Sequence, residues 1–463
     1  MESRHSVGKK HIGRGKGYLT LLAAIMMLTA CGNIILPDTW PEETISPVGQ
    51  GEAADKEYGT DSMDGEIQRE QVPNGSGTKQ SGEALNPSDA VQSGEENGSE
   101  MEPSTEALSP EIKLVMVGDI LLHTPVAESG WNGESYDFSA VFAPLKEQIR
   151  EADLALVNQE VILGGAALGI SGYPAFNGPF ELGDALADTG FDVVLHATNH
   201  VLDKGKNGLV NCLAFWREAH PEIAVLGIHD SEAGQEEIYV YEQEGIRIAI
   251  LNYTYGTNGI PLPGDMPFGV DLLERDRIVS DLKRAGELAD FVVVCPHWGT
   301  EYVLEATKEQ KELAALFAVN GADLVLGTHP HVIEPVVWMG EDGCSMDTKD
   351  TPMTEGRTLV YYSLGNFVNW TSGTGAGVAN RMVGGMAQVV IGLDEEGEAV
   401  IKSYDTVPLV CHVEKGFGGV TVYPLGDYTE ELAARNEIAK QDDSFSLEYC
   451  RKLAEDVFGT IWK

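Results

Sequence analysis

Positive charge is scarce in this sequence: 31 Lys and Arg stand against 73 Asp and Glu over 463 residues, a formal net charge of −42 at pH 7. Nucleic-acid binding needs clustered basic side chains to displace phosphate counterions, so no nucleic-acid partner is expected. Cysteine is sparse as well. Cys31, Cys212, Cys295, Cys344, Cys411 and Cys450 form no CxxC pair and no Cys/His finger spacing, which argues against a zinc knuckle. Setting Cys31 aside leaves an odd remainder, unlike a disulfide framework. Buried or free thiols are the expected state, with one bridge involving Cys344, Cys411 or Cys450 left open. Long apolar runs are missing too, since Tyr18 to Ala30 falls short of the roughly 20 residues that span a bilayer. The acidity itself favours solubility and says nothing about fold.

That short run has the flanks of an export signal. Lys9, Lys10, Arg14 and Lys16 precede it, and Leu28-Thr29-Ala30-Cys31-Gly32 follows. The ending resembles a bacterial lipobox, in which the cysteine is lipidated and becomes the first residue after cleavage; the alternative is an ordinary signal peptide with a chance cysteine. Residues 1–31 are thus expected to be a lipoprotein leader, and the protein to be exported and lipid-anchored on the extracellular face of the cell membrane. Acyl chains contribute about 0.8 kcal/mol per buried CH₂, so two or three would hold it firmly. Residues 32–110 are rich in Gly, Ser, Glu, Asp, Pro and Asn without apolar periodicity, and are expected to be a disordered acidic linker.

From Glu111 onward, apolar strand-like runs alternate with helical patterns. The runs are Ile112–Val117, Leu154–Val157, Val193–Leu195, Ala224–Leu226, Ile246–Leu251, Phe291–Cys295, Leu324–Leu326 and Thr358–Tyr362. Such alternation predicts an α/β fold with its site beyond the carboxyl ends of the strands. Polar residues gather there: Gly118-Asp119 with His123; Asn158-Gln159-Glu160; Asn199-His200 with Asp203; His297 with Glu301; His329-Pro330-His331; and Ser363 with Asn366. Each piece has a plainer reading. Asp119 could cap a helix, Glu160 could be a surface carboxylate, Asn199-His200 turn residues, and His297 a satisfied core imidazole. His329-x-His331 is stronger, because alternate residues of a strand share a face. Carboxylate, amide and imidazole together suit zinc, manganese or iron better than calcium. Trp298, Tyr302, Phe176 and Phe367 could wall a pocket or sit in the core. Arg381 could bind an anion or lie on the surface.

The strings VGDILLH, VNQE, HATNHVLDKGKNGL, CPHWGTEY, GTHPHVIEP and YYSLGNF, in this order, resemble the CapA family of poly-γ-glutamate capsule synthesis proteins, related to calcineurin-like metallophosphoesterases. The resemblance implies a metallophosphoesterase-like four-layer α/β/β/α sandwich over residues 111–412, followed by a C-terminal extension over 413–463. It implies two divalent metals. Asp119 and His331 would bind one, and Asn199, His297 and His329 the other, with Glu160 bridging. His200 would be the proton donor, held by Asp203. Apart from the resemblance, imidazole ligands need hydrogen-bonding partners, and His123, Glu301 and Ser363 are candidates either for that or for binding metal themselves. One departure stands out: the superfamily's first motif is Asp-x-His, whereas position 121 is Leu. Either His123 substitutes or the first metal is weakly held, which leaves a one-metal site open. The implied function is a metal-dependent hydrolase in capsule biosynthesis, with the polymer and other capsule-synthesis proteins as partners. The alternatives are a non-catalytic accessory for polymer assembly or export, and a phosphoesterase of unrelated role.

Overall fold

The computed structural model describes residues 110–347, 357–459 and 461–462. The leader expected over 1–31, with Cys31, and nearly all of the linker expected over 32–110 lie outside them. Fifteen strands are found among the described residues. In chain order the first four are β1 (Glu111–Ile120), β2 (Leu154–Asn158), β3 (Val193–Leu195) and β4 (Ala224–Leu226). Next come β5 (Tyr239–Gln243), β6 (Ile246–Thr254), β7 (Phe291–His297), β8 (Leu324–Leu326), β9 (Val336–Met339), β10 (Ser345–Asp347) and β11 (Thr358–Tyr361). The last are β12 (Asn366–Val368), β13 (Val383–Leu393), β14 (Ala399–Val413) and β15 (Val420–Pro424). They build two mixed sheets. The first runs β15-β14-β13-β1-β2-β3-β4, with β12 also paired to β1, and the second runs β10-β9-β11-β8-β7-β6-β5.

The sheets pack face to face, and alternation within the strands shows it. Ile246, Ile248, Ile250, Phe291, Val293 and Cys295 join the large core shared with the first sheet. Their neighbours Ala249, Leu251, Val292 and Val294 join a separate core under the helices Arg275–Leu288 and Lys308–Val319. Contacts cross between the sheets: Trp338 Nε1 donates to Tyr404 Oη at 3.2 Å, and Tyr361 Oη donates to the Asp405 carbonyl at 3.0 Å. The helices Phe180–Thr189 and Gly205–Ala219 link parallel strands of the first sheet and bury Leu182, Leu186, Leu209 and Cys212. Right-handed crossovers place such helices on one face of their sheet, and the other face is taken by the opposing sheet.

Every strand-like run named above lies within or overlaps a strand. Within the C-terminal extension expected over 413–463, GFGGVTVYPLGDYTEEL has the glycines and turn residues of a loop, yet it contains β15 and the start of the helix Glu430–Arg435. β15 therefore continues the first sheet, and the helix Leu447–Phe458 buries Cys450, Ala454 and Phe458 in the same core. Cys212, Cys295, Cys411 and Cys450 are buried free thiols.

Candidate metal centre

The site lies where strands of both sheets end. Asp119 is the next-to-last residue of β1, and β1 approaches the chain at Gly365 so closely that a Cβ on Gly118 would stand 1.9 Å from the Gly365 carbonyl oxygen. Only glycine fits there. Asp119 is fully buried; its Oδ1 accepts from Asn158 Nδ2 at 2.8 Å and its Oδ2 from the His329 backbone N–H at 3.1 Å. His331 Nδ1 is 3.2 Å from the same Oδ2. Glu160, two residues past β2, is likewise fully buried, and its Oε1 lies 3.7 Å from both His297 Nε2 and His331 Nε2.

His297 closes β7. Its Nε2 is 2.9 Å from Asn199 Oδ1, while its Nδ1 is 3.0 Å from Thr328 Oγ1 and 3.4 Å from Asn158 Nδ2. A hydroxyl can accept from Nδ1–H, which leaves the Nε2 lone pair free for a cation. His329 and His331 converge for a reason other than strand alternation. β8 stops at Leu326, and both histidines occupy the following loop with left-handed backbone, φ +98° and +58°. Non-glycine residues adopt such angles where the surroundings over-determine them, commonly at functional sites. The two rings come within 5.5 Å of each other, and the His329 ring lies 4.8 Å from that of His297.

Asp119, Glu160, Asn199, His297, His329 and His331 thus surround one small buried volume. Two triads, Glu160–His297–His329 and Asp119–Glu160–His331, have ligand atoms all within 4.8 Å of one another and share Glu160. A third, Glu301–His329–His331, brings in Glu301 from the exposed rim. The electrostatics fit a cation. Both Glu160 oxygens, as well as His329 Nδ1, are buried with no hydrogen-bond partner. A buried carboxylate without donors is costly unless a positive charge faces it. Burial, helped by His297, His331 and His200, holds the pKa of His329 well below the usual histidine value, leaving a neutral ring with an unused lone pair. At His331 burial also pulls downward, but Glu160, Asp119 and Glu301 together outweigh it and raise its pKa to about 9. The donors present therefore suit a transition-metal centre.

The remaining expected residues take different places around this volume. His200 Nδ1 is 2.7 Å from Asp203 Oδ2, which also accepts from the Phe176 backbone N–H at 2.7 Å, and the Phe176 ring packs edge-on against His200 at 4.7 Å. His123 stands outside the three triads, packed on Phe176 at 5.1 Å, with a pKa pushed down to about 4 by burial and then by His331, His200 and Arg381. The Ser363 hydroxyl donates to the Val332 carbonyl and accepts from Gly365 N–H, tying the His331 loop to β11's end rather than bonding a ligand side chain. Trp298 and Phe367 are core residues, 1% and 0% exposed. Asn158, Thr328 and Asn366 hold the ligands and were not assigned from sequence; Asn366 Oδ1 lies 3.1 Å from His331 Nδ1. Asn158 and Asn366 stand in the same strand-end strings as the ligands, and that was the available signal.

Fold and site together define a double-sheet α/β protein with a buried imidazole–carboxylate centre. The family model described as bacterial capsule synthesis protein PGA_cap matches residues 113–371, more than half of the chain, and the protein belongs to that family. The PGA biosynthesis protein CapA of Bacillus subtilis is 32% identical over 191 residues, covering 40% of this chain and 45% of its own. The capsule biosynthesis protein CapA of Bacillus anthracis is 28% identical over 291 residues, covering 58% of this chain and 64% of its own. The chain thus spans less than two thirds of the length of either relative. Among solved structures, the NAD nucleotidase of Haemophilus influenzae is 14% identical with a TM-score of 0.37, over 75% of this chain and 60% of that one.

Proposed function

We propose that this protein is a metal-dependent hydrolase acting in poly-γ-glutamate capsule biosynthesis, exported and lipid-anchored through Cys31 on the extracellular face of the membrane. The capsule role rests on the family and on the names of the two Bacillus relatives. The observation that carries the enzymatic part is Glu160, a fully buried carboxylate with both oxygens unpartnered among three imidazoles. In a metallophosphoesterase-like sandwich, Asp119 and His331 would hold one divalent ion and Asn199, His297 and His329 a second, with Glu160 shared. A manganese, zinc or iron ion held there would supply a water of lowered pKa and charge neutralisation for a phosphoryl or acyl oxygen. The chain's own residues do the rest. Asp203 orients His200 through Nδ1, so that Nε2 can give a proton to the departing oxygen. Phe176 fixes both partners, one through its backbone N–H and the other through its ring. The polymer and other capsule-synthesis proteins are the proposed partners.

A second reading, a non-catalytic accessory for polymer assembly or export, draws on Leu121. Where the superfamily's first motif supplies a histidine, this chain has an apolar side chain only 4% exposed. Two variants separate the readings. In the enzyme, His200→Ala keeps metal content and lowers turnover by about 10²–10⁴-fold, the usual worth of a positioned general acid. His329→Ala loses metal as well. Unchanged turnover and capsule polymer in His200→Ala would remove the enzymatic assignment.

A further inference from the structure

From Thr358 to Leu393 the chain carries one Lys, Arg, Asp or Glu side chain, that of Arg381. It lies in the short turn Val378–Met382 leading into β13. Its guanidinium carbon stands 3.5 Å from the centre of the Tyr302 ring, and that ring is 5.9 Å from His331. Nη1 donates to Thr371 Oγ1 at 2.8 Å, whereas Nε is buried with no acceptor. The cation is close enough to His123 to help depress its pKa. So the guanidinium is fixed by one ring face and one hydrogen bond, in a half-buried place where its remaining donors meet no carboxylate among the described residues. Arginine offers five donors in a planar fork that matches an oxyanion, and an unpaired fork beside a buried site is poised for one.

The placement is built by the C-terminal segment. Gln441 Nε2 donates to the Thr371 carbonyl at 2.7 Å, and Gly375 N–H donates to the Gln441 carbonyl at 2.8 Å. Asp442 Oδ2 accepts from Ala379 N–H at 3.2 Å, and Tyr449 hydrogen-bonds Asn380 next to Arg381. Both Arg381 and these braces lie beyond residue 371, where the family match ends.

We infer that Arg381, stacked on Tyr302 and braced by residues 441–449, is a recognition arm for an oxyanion of the substrate, carboxylate or phosphate, beside the metal centre. The inference rests on the proposed centre for its neighbour, not for its own donors. The test is calorimetric titration of the full chain with two probes, γ-glutamylglutamate and inorganic phosphate, each with manganese and with EDTA. The wild type binds at least one probe, and which one identifies the source of the oxyanion. Arg381→Gln weakens that binding about 10–100-fold, the range for a lost charge-assisted hydrogen-bonded pair, with unchanged metal content and melting temperature. Arg381→Lys keeps the charge but not the fork and falls between; should the Gln variant not fold, this one decides. Wild-type affinity in the variants, or no binding of either probe to the wild type, overturns the arm. Binding that needs manganese but ignores Arg381 overturns the arm and leaves the centre standing. Arg381-dependent binding without manganese uptake does the reverse.

Discussion

Replacing Glu160 with Gln should make the metal-free protein more stable and the metal-loaded protein less so. The side chain keeps its shape and loses its charge. Glu160 is fully buried, neither oxygen has a donor, and imidazole nitrogens of His297 and His331 stand 3.7 Å from Oε1. Desolvating an ion costs several kcal/mol, and the His331 ring at 3.7 Å, whose pKa is raised by Glu160, Asp119 and Glu301 against its burial, offsets part of this. Because His331 keeps Asp119 as a partner at 3.2 Å when Glu160 is neutral, the variant sheds only the excess cost of a charged over a neutral unpartnered group, a gain of about 1 kcal/mol without metal. With free metal at 100 times its Kd, the wild type gains about 2.7 kcal/mol by mass action. The variant lacks the carboxylate that both triads share and gains little. Urea unfolding in EDTA and in manganese reads both effects, and the order of stability should reverse between them. A variant less stable than wild type in EDTA would mean that Glu160 is already paired within the protein. A variant that gains as much from manganese would mean that Glu160 does not hold the ion. Either result contradicts a role for the Glu160 charge in holding the ion.

Two other outcomes are expected. Glu334, buried with one oxygen unpartnered and the other bonded to Gln310 at 2.6 Å, has its pKa raised by burial from 4.5 to about 8. The folded state then keeps a proton that the unfolded chain releases above pH 4.5, so stability falls as pH rises from there to about 8, by at most about 1.4 kcal/mol per unit. Glu334→Gln removes that slope, and its advantage over wild type in urea unfolding should grow from pH 5 to pH 8; an equal difference at both would contradict the assignment. Cys31→Ser should abolish labelling by a fatty-acid analogue and release the protein from the membrane, and an unlabelled wild type would remove the anchor.

The parallel strands were legible because they are continuous apolar runs: Phe291–Cys295 is buried on both faces and admits little else. The antiparallel strands β13 and β14 were not. β13 opens Val383-Gly384-Gly385, and those glycines exist for close packing: a Cβ on Gly384 would lie 2.0 Å from the Asn366 carbonyl oxygen. In sequence they look like a turn. β14 is half-buried along much of its length and contains Pro408, so neither period stands out. The ligand residues could be picked out as strand-end polar groups, but the reason given for His329 and His331 was a strand geometry that the loop does not have. Asn158, Thr328 and Asn366 depend on contacts across 31 to 39 positions, which no local pattern encodes. Arg381 looked equally like a surface residue until Tyr302 was found beneath it.

Whether Glu160 and its imidazole neighbours hold a transition-metal ion can be read from anomalous diffraction by crystals of the manganese-loaded chain. A metal peak is expected at bonding distance, roughly 2.0–2.2 Å, from Glu160 and from ring nitrogens of the histidine cluster, with no peak in His329→Ala. An empty cluster after loading, or a peak bound elsewhere with Glu160 still unpartnered, would contradict that expectation.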